Sequence, residues 1–322
     1  LIGGGAGGLL LGGGGSGAGG LVGNGNTSGG GGRTCGGDTY QAEPSQLDLY
    51  VMFDDSGSMI VWWPGVTSVF SQFLDDPASA GIGAGIQFFG SGCDVNVYAT
   101  PRVPIAPLPG NAAAIKAAFP VLPVEGTATD PALKGAIQQA RTWKSQNQSH
   151  KVAVLLVTDG IPSECNSTVQ SVSDIAAEGL SGNPSVQTFV LGLGFNLDPL
   201  NQIAKAGGTN QAVLADPNNA QALAQAMSQI RGAALPCDYA IPNAGNVDTS
   251  KVNIEFTADD GSTSTVPNVG DASRCDATTG GWYYDDPANP GRLVACPATC
   301  GTFKGTVKGG VNVAIGCTTV VK

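Results

Sequence analysis

The chain has 322 residues, 42% hydrophobic and only 12% charged, with 15 basic against 25 acidic side chains and a net charge of -10. This length and apolar content allow one sizeable core and a smaller satellite domain, while the acidic balance argues against nucleic acid or an anionic membrane as partner. No apolar run approaches the roughly 20 residues of a membrane-spanning helix.

Residues 1–32 stand apart. Eighteen of them are glycine and none is charged, so ordering them costs backbone entropy and leaves little side chain to bury. They read as a flexible linker or as an assembly tail. In the second reading the apolar clusters Leu1-Ile2, Leu9-Leu10-Leu11 and Leu21-Val22 pack against other copies of the chain. The first residue is Leu1 and not Met, which predicts that processing or truncation has removed any leader. Residues 33–45 are a polar connector carrying Cys35.

From 46 to 232 strand and helix patterns alternate. Apolar runs at 47–53, 82–89, 151–157, 186–191 and 211–214 predict buried strands. Helices are predicted over 66–75, 111–119, 131–145, 168–178, 198–206 and 217–231. Asp130-Pro131, Asp198-Pro199 and Asp216-Pro217 each read as a helix start with an acid cap and proline in the first turn. The alternation predicts an α/β fold, a mostly parallel sheet covered on both faces.

Residues 235–322 change texture. Five of the eight cysteines lie here, with short β-rich runs separated by Asp, Asn, Pro and Gly clusters. This predicts a small disulfide-rich all-β domain, with Trp282-Tyr283-Tyr284 in its core. An even cysteine count with a single histidine favours disulfides over zinc, and an oxidising compartment outside the cell. Cys93 and Cys165 are expected to bridge on one rim of the sheet. Cys35 and Cys237 flank the central domain, and their pairing stays open among several alternatives.

Three pieces of the central domain carry chemistry. Asp54, Ser56 and Ser58 form a D-x-S-x-S run at the end of an apolar strand. Gly126-Thr127-Ala128-Thr129 precedes a helix, and Thr158-Asp159-Gly160 ends a second buried strand. Acids and hydroxyls held on tight loops suit a hard divalent cation. In an open parallel sheet such loops collect beyond the carboxyl ends of the strands, near the point where strand order reverses. His150 lies before the 151–157 strand and is read as a surface residue. Trp62 and Trp63 are read as a half-buried cap over a helix start.

In these three pieces, their order and their spacing, the chain resembles the von Willebrand factor type A (VWA) family, and in particular its bacterial extracellular members. The resemblance covers about 46–232. It implies a doubly wound, Rossmann-like domain with a metal-ion-dependent adhesion site. It implies that Ser56 and Ser58 ligate a cation directly, that Asp54 and Asp159 bind directly or through water, and that Thr127 is the loop ligand, with Thr129 as the alternative register. Mg²⁺ suits a small near-octahedral site; Mn²⁺ substitutes, and Ca²⁺ is less comfortable. The sixth ligand would be a carboxylate from a partner protein.

Two functions of different class follow. One is an extracellular, metal-dependent adhesion or interaction protein. The other is a structural subunit of an extracellular filament joined through residues 1–32. An enzyme is not expected: no set of base, nucleophile and oxyanion donor is recognisable, and no G-x-S-x-G elbow occurs.

Overall fold

The computed structural model describes residues 37–42, 44–121, 126–242, 247–304 and 310–322. The glycine-rich segment 1–32 and Cys35 lie outside the described residues. In chain order, β1 (Asp38–Gln41) is followed by β2 (Leu47–Asp54), α1 (Trp63–Asp75), β3 (Gly83–Phe89), α2 (Val95–Ala99) and β4 (Val103–Pro107). Then come α3 (Ala112–Ala118), α4 (Thr129–Gln146), β5 (Lys151–Thr158), α5 (Val169–Ser181), β6 (Gln187–Leu193), α6 (Leu200–Ala206), β7 (Val213–Ala215) and α7 (Ala220–Ala234).

β2 is buried along its whole length. Its side chains alternate between two cores, because successive residues of a strand point to opposite faces. Leu49, Val51 and Phe53 pack with α1, α3 and α7, while Tyr50 and Met52 pack with α4, α5 and α6. A strand with a helix layer on either side has no face left for water, which is why its sequence is a near-continuous apolar run. The six-stranded sheet has the order β4-β3-β2-β5-β6-β7. All pairs are parallel except β3 with β4. From β2 the chain steps outward to β3 and β4, then returns to lay β5 on the other side. The order therefore reverses between β2 and β5, and the carboxyl ends of such a strand pair are where ligands of open parallel sheets collect.

Several elements depart from the sequence expectation. β4 carries Pro104 and Pro107; it is an edge strand, where a missing N–H costs no ladder bond on the open side. α7 starts at Ala220 and is capped by the Asn219 side chain, while Asp216 instead accepts from the backbone N–H of Asn218. The Asp216-Pro217 pair thus builds the turn before the helix and not its first turn.

The β-rich remainder comprises β8 (Asp238–Ala240), β9 (Val252–Thr257), β10 (Thr263–Val266), β11 (Asn268–Gly270), β12 (Trp282–Tyr284), β13 (Arg292–Ala295), α8 (Pro297–Lys304) and β14 (Gly310–Ile315). They form two sheets, β1-β14-β9-β10 and β11-β12-β13-β8. The polar stretch 33–45 contributes β1, which pairs antiparallel with β14. Backbone pairing, and not an apolar pattern, makes that strand. This part is also not all-β. α8 begins on a proline, is tied to β8 by the Cys237–Cys300 disulfide, and buries Phe303 against Tyr239 and Phe256. Cys237 is therefore not joined to Cys35. A second bridge links Cys275 to Cys296. Trp282 is fully buried and donates its indole N–H to the Val266 carbonyl at 2.8 Å.

Candidate metal site

Asp54 ends β2 at the reversal point, and the ladder sets it beside Thr158, the last residue of β5. Beneath it, Phe53 packs its ring against Trp63, Phe70, Phe88 and Phe119, so the strand end rests on a solid aromatic floor. The chain then turns sharply. The Ser56 N–H donates to Asp54 Oδ1 at 2.8 Å, and Thr158 donates its hydroxyl to Asp54 Oδ2 at 2.5 Å.

From this base a line of oxygens runs outward. Ser56 Oγ and Ser58 Oγ lie 3.0 Å apart, and Ser58 donates to Asp159 Oδ1 at 2.7 Å. Asp54 and Ser56 are buried, Asp159 is half-buried and Ser58 is exposed. The cluster is therefore closed below and open above.

Thr127 arrives from the loop before α4, held from both sides by backbone bonds. The Ala128 N–H donates to the Gly90 carbonyl at 2.8 Å, and the Glu164 N–H donates to the Thr127 carbonyl at 3.3 Å. A Cβ on Gly160 would stand 3.9 Å from Thr127 Oγ1, which sets this threonine beside the Asp159 loop. Gly126 has a close-approach reason: a Cβ there would lie 2.0 Å from a Glu164 carboxylate oxygen. Thr129 is the first residue of α4 and is buried, and its hydroxyl finds no partner among the described residues. The Cys93–Cys165 disulfide joins the loop after β3 to the loop after β5, as the sequence reading expected.

The electrostatics favour a cation. Burial pushes the Asp54 carboxyl up to about 7, against the pull of the Ser56 and Thr158 hydrogen bonds, and the Asp159 charge adds to the rise. Burial also raises Asp159, opposed by bonds from Ser58 and Trp62. No basic group is among the influences on either acid. One buried and one half-buried carboxylate without a counter-charge leave room for a dication. The spacing agrees as well. Adjacent ligands of an octahedral Mg²⁺ site with bonds of about 2.1 Å lie about 3.0 Å apart, and the two serine oxygens are 3.0 Å apart. Among the described residues no group of three His, Cys, Asp or Glu side chains is placed to hold a metal, so the donor set here is two acids and hydroxyls.

Three contributors went unassigned in the sequence. Thr158 steadies Asp54 and also accepts from the Gly160 N–H at 3.1 Å. Trp62 lies close enough to Asp159 to hold its carboxyl down against the effect of burial. Glu164 packs over Gly126. Only Thr158 carried a signal, as the residue before the acid in the T-D-G run.

No family model matches the sequence, and no curated protein matches it. Among solved structures, the chain is similar to proximal thread matrix protein 1 from the mussel byssus with a zinc-occupied MIDAS motif, at 16% identity over 63% of this chain and 50% of that one, TM-score 0.44. It is similar to the manganese-loaded TRAP protein of Plasmodium vivax, at 21% identity over 58% of this chain and 76% of that one, TM-score 0.42. It is also similar to a von Willebrand factor type A protein from Catenulispora acidiphila, at 13% identity over 88% of this chain and 61% of that one, TM-score 0.43. The chain spans about half the length of the mussel protein.

Proposed function

We propose that this chain, whose central domain resembles von Willebrand factor type A domains, is an extracellular adhesion or interaction protein that holds a partner's carboxylate at a divalent cation. The observation that carries this reading is the run of oxygens from buried Asp54 through Ser56 and Ser58 to Asp159, open to solvent at one end. Asp54, Ser56, Ser58, Thr127 and Asp159 would hold the ion. Mg²⁺ is the preferred occupant, with Mn²⁺ or Ca²⁺ as substitutes. A cation there supplies an electrophilic position for an anionic oxygen. The hydroxyl ligands leave its charge only partly neutralised, so a carboxylate is the favoured visitor. Thr158 orients Asp54, and Ser58 orients Asp159.

Extracellular placement is supported by three disulfides among the described residues. No described helix is long and apolar enough to cross a membrane. His150 precedes β5 while Asp159 follows it, a strand length of roughly 25 Å, so the chain's one histidine cannot serve these oxygens as a base.

The test is capture of a carboxylate-bearing partner on an immobilised surface, with and without chelator. Binding should vanish in EDTA, return with Mg²⁺, and be absent in Asp159→Ala at unchanged circular dichroism. Binding that persists in EDTA refutes the reading. The filament reading rests on the composition of residues 1–32 and predicts polymers that disappear when they are deleted.

The surroundings of the opening suggest how a partner is gripped beyond one carboxylate. Ile60 and Val61 are exposed on the short 3-10 helix Gly57–Val61 that follows β2, and Ile161 and Phe195 are exposed on the loops after β5 and β6. Solvent-facing apolar side chains grouped around a polar centre suit a contact surface. Val61, 67% exposed, has little to lose in the fold. Val61→Asp should weaken partner binding by roughly tenfold, about 1.4 kcal/mol, without moving the unfolding midpoint. Unchanged affinity would remove this apolar rim from the interface.

A further inference from the structure

A second site lies at the other pole of the central domain. A cleft of about 420 Å³ opens at the amino-terminal end of the sheet, where β5 starts and where β8 and β13 pack against it. Its polar lining includes Lys144, Gln148, Ser149, His150, Lys151 and Arg292.

The charges here do not balance internally. Arg292 is committed to Asp238, with Nε 2.5 Å from Oδ2 and a second bond to the Asp238 carbonyl. Asp238 also accepts the Ser45 hydroxyl. Asp48, fully buried at the start of β2, accepts from Trp143 Nε1 at 2.5 Å and is bonded to His150 Nδ1 at 2.7 Å. His150 is thus not a free surface side chain as its polar setting suggested. Its ring is fixed by a buried acid, with Nε2 as its remaining polar atom. Lys144 donates to the main-chain carbonyls of Gln148 and His150.

Lys151 is different. Its ammonium has no hydrogen-bond or ion-pair partner among the described residues. Burial lowers its proton affinity, with only Asp238 opposing. Nearby, Lys304 is bonded to the Ala233 carbonyl and is held down to about 8 by burial and by the Lys151 charge. Three ammonium groups thus crowd a region whose two carboxylates are already engaged, in a chain with a net charge of -10.

An anion would relieve this repulsion, and the remaining lining says what kind. The Gln148 amide and Ser149 hydroxyl make no side-chain hydrogen bond among the described residues. No Phe, Tyr or Trp side chain lines the cleft, and its apolar side chains are Val152 and Leu180. Such a surface suits hydroxyl groups rather than a flat apolar ring, and the volume matches that of small-ligand sites. We propose that this cleft binds a carboxylate carried on a hydroxyl-rich scaffold, an acidic sugar of the uronate class, through Lys151, with Gln148, Ser149 and His150 meeting its hydroxyls.

The test is ligand-observed NMR on the full chain with glucuronate, glucose and acetate as probes. The buffer contains EDTA, so that the carboxyl-edge cation site takes no part. Glucuronate should show saturation transfer and bind at least roughly tenfold tighter than either glucose or acetate. Lys151→Met, which keeps the aliphatic stem, should weaken it by a similar factor, and Lys151→Arg should restore most of the affinity. Equal binding of glucose would show that the charge is unused. Equal binding of acetate would show that the hydroxyl contacts are unused. Full affinity in Lys151→Met, or no binding of glucuronate, would likewise overturn the proposal. So would a chain that dimerises in sedimentation through Lys151, because the anion would then be an acid of a second copy.

Discussion

Magnesium should raise the unfolding temperature strongly at about pH 8 and hardly at all at about pH 5. The reason is the burial of Asp54. Its carboxyl titrates at about 7 in the metal-free fold, against roughly 3.9 in an unfolded chain. Between those values the folded protein holds a proton that the unfolded chain has released. The metal-free fold is therefore most stable below about pH 4 with respect to this group. It loses that contribution as pH rises to about 7, and is flat above. Asp159, also raised by burial, acts in the same direction.

A cation needs both acids ionised and so competes with these protons. Its apparent affinity climbs with pH and levels off once Asp54 is ionised. At a hundredfold excess over its dissociation constant, a ligand that binds only the fold contributes about 2.7 kcal/mol. For a domain of this size that is roughly 5 to 10 °C. Scanning calorimetry across this pH range, with and without MgCl₂, reads both effects. Asp54→Asn should abolish the magnesium shift and flatten the acid-side slope of the metal-free protein. A magnesium shift equal at both ends of the range would mean that Asp54 is not a ligand.

The parts of this site that could be read in advance are those encoded locally. Strands 47–53 and 151–157 are legible because both faces are covered, so Asp48 alone interrupts otherwise apolar runs. Their ends were visible because an acid stops each run. β4 was not, since its prolines mimic a loop and its edge position permits them. β1 and α8 were hidden for a related reason: each exists through a partner distant in sequence, β14 in one case and the Cys237 bridge in the other. The same holds for support of the site. Glu164 meets Gly126 from 38 positions away, a contact that no window along the chain encodes. His150 was misjudged because its setting of Ser, Gln and Lys says surface, while Asp48, which holds it, is 102 residues away.

Removing the rim disulfide should cost more than any other single covalent change in the central domain. Cys93 and Cys165 are 72 residues apart, and the chain-entropy relation gives roughly 4 kcal/mol for a loop of that length. The bridge also pins a turn in which Cys165 and Asn166 both have positive φ, 54° and 59°, a conformation that non-glycine residues leave readily when released. That turn carries Glu164, whose N–H holds the Thr127 carbonyl. Loosening it should slacken one wall of the cation site, while Asp54, Ser56 and Ser58 stay in place on β2 and its loop.

The double variant Cys93→Ser/Cys165→Ser is therefore expected to show two separable losses. Urea unfolding should shift to a lower midpoint with little change in slope, because the folded surface is much the same. Cation affinity should drop by roughly tenfold, about 1.4 kcal/mol, with no change in the pH at which it levels off, since that pH belongs to Asp54. An unfolding midpoint equal to that of the oxidised protein would show that the loops are held without the bridge. Unchanged cation affinity in a destabilised protein would show that Thr127 does not depend on the Glu164 loop for its position.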